Sequence, residues 1–205
     1  MAFPSLSSQG TVLILGALLG FLLGSVPFGY LLVKLRTGDD VRRFGSGNTG
    51  ATNVGRVLGR KAGLAVLLAD ALKGLAAVLL AALIGPAASA AAAFGAVAGH
   101  CYSPWLRGRG GKGVATMFGA FAVLAPVCAA IAAIALAAVA ALTRTMSAGS
   151  LAAAVALVVS SWWFAMPAEA TLAALLSSLL VIWRHRGNIQ RLRRGDENRF
   201  GKGRS

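Results

Sequence analysis

The chain has 205 residues, of which 57% are hydrophobic and only 13% charged, where a soluble domain carries roughly 45–50% apolar and about 25% charged residues. That balance excludes an ordinary soluble domain and predicts an integral membrane protein. The net charge of +14 would suit a nucleic-acid binder, but the basic residues are gathered in the short breaks between apolar segments, so membrane lipid and no nucleic acid is expected as the partner.

Residues 1–10 carry no Lys or Arg ahead of the first apolar run, which argues against a cleaved signal peptide and for a retained transmembrane helix. Apolar runs then cover 11–35, 62–84, 86–103, 114–125, 127–142, 149–165 and 168–183. They predict an all-α polytopic bundle of seven transmembrane helices, a single domain over 1–205 with a basic cytoplasmic tail at 184–205. Ser25 and Pro27 predict a kink or polar pocket inside the first run. Several runs fall short of the roughly 20 residues that span a bilayer upright, so broken, tilted or partly inserted helices are expected. Pro86, Pro126 and Pro167 stand at junctions, where proline ends one helix or opens the next.

Parity gives the orientation. The breaks after the first, third, fifth and seventh runs share one face and hold Arg42 to Lys61, Arg107 to Lys112, Arg144 and Arg184 to Arg204. The other face has no Lys or Arg and only Glu169 charged. The positive-inside rule then puts the N-terminus outside and the C-terminus in the cytoplasm. A five-helix count, joining 114–142 and 149–183, is the competing reading, and it would put Arg144 outside.

The first basic break contains Gly45-Ser46-Gly47-Asn48-Thr49-Gly50-Ala51-Thr52-Asn53-Val54-Gly55-Arg56. Its glycines let backbone approach a ligand, its hydroxyls and amides add donors, and Arg56 adds fixed charge, so it reads as an anion cradle at a membrane surface. Asp70 and Lys73 follow one turn apart in an apolar run, where an ion pair and a direct role are both open. From Gly99 to Thr116, His100 precedes a glycine-rich stretch in which Gly110, Gly111 and Gly113 surround Lys112 and lead into a helix. Amides, a helix N-terminus and an ammonium can converge there on a phosphate. It is not a Walker A loop, because Leu106 and Gly113 stand where that motif needs Gly and Ser or Thr. A third break, Arg144 to Ser150, supplies a guanidinium and hydroxyls, with a helix cap as its plainer reading. In the last, His185 and Asn188 share one face if the segment is helical, while its arginines suit anionic headgroups. Cys101 and Cys128 lie in or beside apolar stretches with no CxxC and no histidine at ligand spacing, so neither a zinc site nor a disulfide framework is expected.

The 45–56 run, Asp70-Ala-Leu-Lys73-Gly74, the Gly99-His100 to Gly113 loop, and His185-Arg-Gly-Asn188-Ile-Gln-Arg191-Leu ending in Gly195-Asp-Glu197 together resemble the bacterial acyl-phosphate-dependent glycerol-3-phosphate acyltransferases. The resemblance covers nearly the whole chain in order. It implies a multi-pass enzyme of the bacterial inner membrane, its active site on the cytoplasmic face, that moves a fatty acyl group from acyl phosphate to the 1-hydroxyl of glycerol 3-phosphate. Lysophosphatidic acid and phosphate would be the products, at the first step of phospholipid synthesis, with no cofactor or metal. Functional coupling to the enzyme that makes acyl phosphate is implied too. The soluble-type acyltransferase pair, a His with an Asp five positions on, is missing: Trp105 follows His100 there and Gln190 follows His185.

By that resemblance Ser46, Arg56, Lys112, Ser147, His185 and Asn188 are the catalytic positions. Gly45, Gly47, Asn48, Gly50, Thr52, Asn53, Gly110, Gly111 and Gly113 are expected to bind substrate, with Asp70, Lys73 and His100 in support. Arg56 and Lys112 are best suited to phosphate, His185 and Asn188 to orienting glycerol 3-phosphate, and the glycine-rich loop to acyl phosphate. Acyl phosphate is already activated, so direct attack suffices, with the departing phosphate or His185 taking the proton. The family often has Arg-Tyr-X-Ser where this chain has Arg144-Thr-Met-Ser147, which leaves Ser147 and Ser150 both open for that place. The rival class, a transporter of a phosphorylated solute, predicts polar residues reaching the midplane from both faces. Here they lie on one face, with only Asp70 and Lys73 deeper.

Overall fold

The computed structural model describes residues 6–199. In chain order its α-helices are α1 (Leu6–Gly24), α2 (Phe28–Thr37), α3 (Ala51–Leu58), α4 (Arg60–Ala82), α5 (Pro86–Cys101), α6 (Val114–Leu124), α7 (Pro126–Thr143), α8 (Met146–Trp163), α9 (Ala168–Arg184) and α10 (Arg186–Arg194). Short 3₁₀ turns lie at Val41–Arg43 and Pro104–Leu106. Every predicted apolar run is helical, the first as the broken pair α1 and α2. The five-helix count fails. Pro126 opens α7 directly after Ala125, whose backbone (φ −152°, ψ 70°) lies outside the helical region, which the residue before a proline avoids. Residues 164–167 separate α8 from α9.

Among the described residues, four stretches are long and apolar enough to cross a membrane: Ser8–Thr37, Arg60–Ala82, Pro126–Thr143 and Met146–Trp163. α5 and α9, with 16 and 17 residues, are shorter, and α6 has 11.

The chain divides into two compact units, one ending at Leu124 and the next starting at Ala125. In the first, α1 packs along α5 and α4 along α6. Gly16, Gly20 and Gly24 line α1 against α5: a Cβ on them would sit 2.3, 2.2 and 2.1 Å from the carbonyl oxygens of Ala88, Ala92 and Ala96. Gly95 and Gly99 return the contact toward Ala17 and Phe21. Helices in lipid gain most from such backbone proximity, because no hydrophobic driving force separates them from lipid tails.

α3 was not predicted. Four of its eight residues are apolar, Ala51, Val54, Val57 and Leu58, and Val54 is fully buried in a cluster with Val33 of α2, Val41 of the 3₁₀ turn and Val66 of α4. Each buried valine contributes on the order of 1.5 kcal/mol, so tertiary packing rather than local propensity makes this helix.

The break at Ser25 to Pro27 confirms the expected kink and explains how its freed backbone groups are satisfied. Ser103 Oγ donates to Ser25 O at 2.7 Å, Lys73 Nζ donates to Val26 O at 2.7 Å, and Trp105 Nε1 donates to Ser25 Oγ at 2.9 Å. In the second unit, α8 packs between α7 and α9, and α10 rests on both α8 and α9.

Candidate active site

The cradle begins where α2 stops at Gly38, which takes the left-handed conformation (φ +76°). Asp40 then caps the 3₁₀ turn, accepting from Arg42 N at 2.9 Å, and clasps the Arg42 guanidinium at 2.7 Å. The hydrogen bond from the Arg42 side chain holds the Asp40 carboxyl below the usual carboxylate range, against partial burial. Arg42 Nη1 donates onward to Leu106 O at 3.2 Å, which ties the cradle to the 3₁₀ turn before the glycine-rich loop. Neither Asp40 nor Arg42 stood out in the sequence, because charged residues at a membrane surface need no special reason to be there.

Asn53 is the hub of the cradle. Its Nδ2 faces the carbonyls of Val41, Phe44 and Asn48 at 3.1, 2.9 and 2.9 Å, and its Oδ1 accepts from Ser46 N at 2.9 Å. The side chain is 1% exposed, so its amide is spent on shaping the loop rather than on meeting a ligand. Asn48 Oδ1 likewise accepts from Gly50 N at 3.0 Å. Gly45 (φ +56°) needs glycine twice over, since a Cβ there would also lie 2.3 Å from Asn53 Oδ1. What the scaffold leaves exposed are Ser46, Thr52 and Arg56. Gly50, the N-cap of α3, gives no side-chain cap; Asn53 N turns back to Gly50 O at 3.0 Å, so the Ala51 and Thr52 amides are the ones placed to meet an anion.

The glycine-rich loop is pinned to the end of α5. Gly110 N donates to Cys101 O at 3.2 Å and Gly111 N to His100 O at 3.0 Å, folding the loop back over the end of α5. A Cβ on Gly110 would fall 2.0 Å from His100 O, and one on Gly111 would fall 2.0 Å from His100 Nε2. Gly113 (φ +84°) then turns the chain into α6, placing half-buried Lys112 just ahead of that helix's N-terminus. Asp70 and Lys73 form the expected ion pair, at 2.7 Å, and His100 Nδ1 lies 3.5 Å from the same carboxylate oxygen.

In the second unit, Arg144 ends α7 with φ +56° and Thr145 is the N-cap of α8. The two serines left open by the sequence differ here. Ser150 Oγ donates to Met146 O at 2.8 Å within its own helix. Ser147 Oγ is buried and has no hydrogen-bond partner among the described residues.

His185 closes α9 and opens α10, buried to 2% exposure. Its Nδ1 lies 2.8 Å from Val181 O; a nitrogen facing a carbonyl carries the hydrogen, which assigns Nδ1–H and leaves Nε2 as the nitrogen able to accept a proton. Asn188 Nδ2 and Arg191 Nε both donate to Glu197, each at 2.8 Å. Glu197 thus fixes the orientation of the Asn188 amide. The sequence reading used Glu197 only to close a motif, and its carboxylate gave no local sign of that contact.

Helices apolar enough for a bilayer, with cationic loops built by glycine and asparagine between them, define a polytopic membrane enzyme that handles phosphorylated substrates. Residues 14–195 match the family model for glycerol-3-phosphate acyltransferase, and the chain belongs to that family. A relative of that name from Myxococcus xanthus (strain DK1622) is 50% identical over 187 residues, covering 89% of this chain and 97% of that protein. One from Rhodopseudomonas palustris (strain BisB5) is 44% identical over 192 residues, covering 93% and 97%. The fold is also that of PlsY (YgiH), an integral membrane glycerol 3-phosphate acyltransferase. Its glycerol 3-phosphate form superposes with a TM-score of 0.86 at 35% identity, over 95% of this chain and 96% of that one. Its lysophosphatidic acid form gives 0.84 at 34% identity, over 94% and 96%.

Proposed function

We propose that this protein transfers a fatty acyl group from acyl phosphate to the 1-hydroxyl of glycerol 3-phosphate, giving lysophosphatidic acid and inorganic phosphate. The observation that carries the reading is the near full-length likeness to a protein crystallised in both a glycerol 3-phosphate and a lysophosphatidic acid form. Two phosphorylated substrates need two anion sites. The exposed Ser46 and Arg56 of the cradle suit one, with the uncapped amides of α3, and Lys112 with the amides ahead of α6 suits the other.

The hydroxyl oxygen of glycerol 3-phosphate attacks the acyl carbonyl carbon. The carbon–oxygen bond to phosphate breaks as the new ester bond forms, and inorganic phosphate leaves. The hydroxyl proton goes to the departing phosphate or to His185 Nε2, the ring nitrogen left by the Nδ1 contact with Val181 O. Asn188, held by Glu197, orients glycerol 3-phosphate, and Ser147 gives its hydroxyl to a substrate oxygen. No cofactor or metal enters this scheme.

The same reading has the chain as one functional domain in the bacterial inner membrane, crossing it seven times. Its N-terminus is outside, and its basic loops and active site face the cytoplasm, where the enzyme making acyl phosphate can feed it. α8 supports that orientation: Arg144 and Ser147 lie at its start and the exposed Trp162 and Trp163 at its end, as expected for a basic cytoplasmic end and an aromatic interfacial one.

The test is direct. Purified protein in detergent, given acyl phosphate and glycerol 3-phosphate, is expected to release phosphate and form lysophosphatidic acid. Turnover with acyl-CoA and none with acyl phosphate would refute the donor.

A further inference from the structure

Asp70, Lys73 and His100 are 2%, 7% and 8% exposed, and none of them belongs to a loop that meets substrate in the reading above. Charges inside a membrane-spanning segment are expensive. A buried ion pair is also weak support for stability, since well-packed apolar residues of the same volume often do as well. Mutual neutralisation would need only the 2.7 Å contact between Lys73 Nζ and Asp70 Oδ1. Here each partner extends further.

Lys73 Nζ donates to Val26 O at 2.7 Å, inside the α1–α2 break. That break launches α2, and α2 delivers the chain to Asp40 and the cradle. Gly29 of α2 packs so closely on the cradle that a Cβ there would lie 1.9 Å from Thr49 O. On the other side, His100 Nδ1 lies 3.5 Å from the shared carboxylate oxygen. The Nε2 edge of the same ring takes up the space where a side chain on Gly111 would stand, and His100 O receives Gly111 N at 3.0 Å. Two further bonds, Ser103 Oγ to Ser25 O and Trp105 Nε1 to Ser25 Oγ, fasten the segment after His100 to the same break. One carboxylate oxygen therefore lies against both the lysine that holds the root of the cradle and the histidine beneath the glycine-rich loop.

We infer that Asp70, Lys73 and His100 are positioning residues that seat the Gly110–Gly113 loop, and with it Lys112, for binding the phosphate of one substrate. The inference rests on the proposed acyl transfer and adds to it a second layer of residues that never touch substrate. Its signature is selective. A merely structural cluster would lower stability and harm both substrates alike, whereas a misplaced loop weakens the one phosphate it holds.

The experiment measures kinetics against each substrate separately for the full chain in detergent, with Tm as the fold control, for Asp70→Asn, His100→Asn, Lys73→Met and Lys73→Arg. Asp70→Asn and His100→Asn are expected to raise KM for one phosphorylated substrate about tenfold or more, leaving KM for the other within about twofold. Inorganic phosphate, as a competitive product inhibitor of that same substrate, is expected to weaken by a similar factor. Lys73→Arg keeps a cation over Val26 O and is expected to stay near wild type, unlike Lys73→Met. Unchanged KM for both substrates, or an equal loss on both that follows Tm, overturns the inference. If Asp70→Asn does not fold, His100→Asn decides alone; if that also fails to fold, the cluster is a folding element and the inference falls. A wild-type chain that turns over neither substrate would refute the acyl-transfer reading instead.

Discussion

The two loops of the first unit are built by opposite means. The cradle is made with side chains, because Asn53 gathers three carbonyls and one amide into a single buried amide group. The glycine-rich loop is made by the absence of side chains, since Gly110 and Gly111 lie where the backbone and ring of His100 leave no room for a Cβ. The first therefore fails by losing atoms and the second by gaining them. Each carries a cation, Arg56 in the first and Lys112 in the second.

The largest expected effect comes from breaking the hub. Asn53→Ala removes two N–H donors shared among three carbonyls and one acceptor, about three hydrogen bonds' worth, and at about 1 kcal/mol each the loss is roughly 3 kcal/mol. We expect kcat/KM, followed by phosphate release, to drop at least about 100-fold. Asn53→Asp keeps the shape but cannot donate to the carbonyls of Val41, Phe44 and Asn48, and is expected to fall as far. Wild-type kinetics in the aspartate variant would remove Asn53 from the centre of the loop.

Gly111→Ala tests the other half of the contrast. Overpacking costs about 1–3 kcal/mol, so a loss of roughly 10–100-fold in kcat/KM is expected. Gly10→Ala is the control, because nothing lies within 4 Å of a Cβ there. If the two alanines had the same effect, the fit between Gly111 and the His100 ring would be irrelevant to function.

A smaller effect separates the two serines of the second unit. Ser147→Ala removes a buried hydroxyl with no hydrogen-bond partner among the described residues, and about a tenfold fall in kcat/KM is expected, the size of one hydrogen bond made to substrate. Ser150→Ala removes only a hydroxyl that bonds its own helix at Met146 O, and its kinetics are expected to stay within about twofold of wild type. The reverse order would make Ser150 the substrate-facing serine.

The same contrast explains what could be read from the sequence. Apolar runs report helices directly, because length and hydropathy are local, and all seven are present. Polar residues stranded between such runs point to a site, whereas Ser46, Arg56, Lys112, Ser147, His185 and Asn188 were singled out by the family resemblance. What local reading could not do was sort frame from working surface. Asn53 and Asn48 look as ligand-ready as Ser46, and only their bonds to distant carbonyls and amides show them as frame. α3 was missed because its stability comes from Val33, Val41 and Val66, far apart in the chain. Glu197 and Arg42 were missed for the same reason: their partners Asn188 and Leu106 give no sign at their own positions.

The smallest expected effect belongs to the ion pair at the entrance of the cradle, and it has a definite sign. The Asp40 carboxyl is held below its ordinary value, chiefly by the hydrogen bond from Arg42. A carboxyl whose pKa is lower folded than unfolded binds more protons in the unfolded chain, so the pair's stabilisation is complete above the unfolded value of about 4. It is lost only as pH falls through the still lower folded value. Between neutral pH and about 5 the pair therefore contributes a constant amount. That amount is modest, because the two side chains are 28% and 25% exposed and such pairs contribute roughly 0.2–1 kcal/mol. Asp40→Asn is expected to lower Tm slightly and kcat/KM at most a few-fold at pH 7, about the factor that 1 kcal/mol allows. The gap in Tm from wild type is expected to close below about pH 4, as protonation takes from the wild type what the substitution has already removed. A gap that widened on acidification would show that the Asp40 pKa is raised, and that Arg42 is not what holds it.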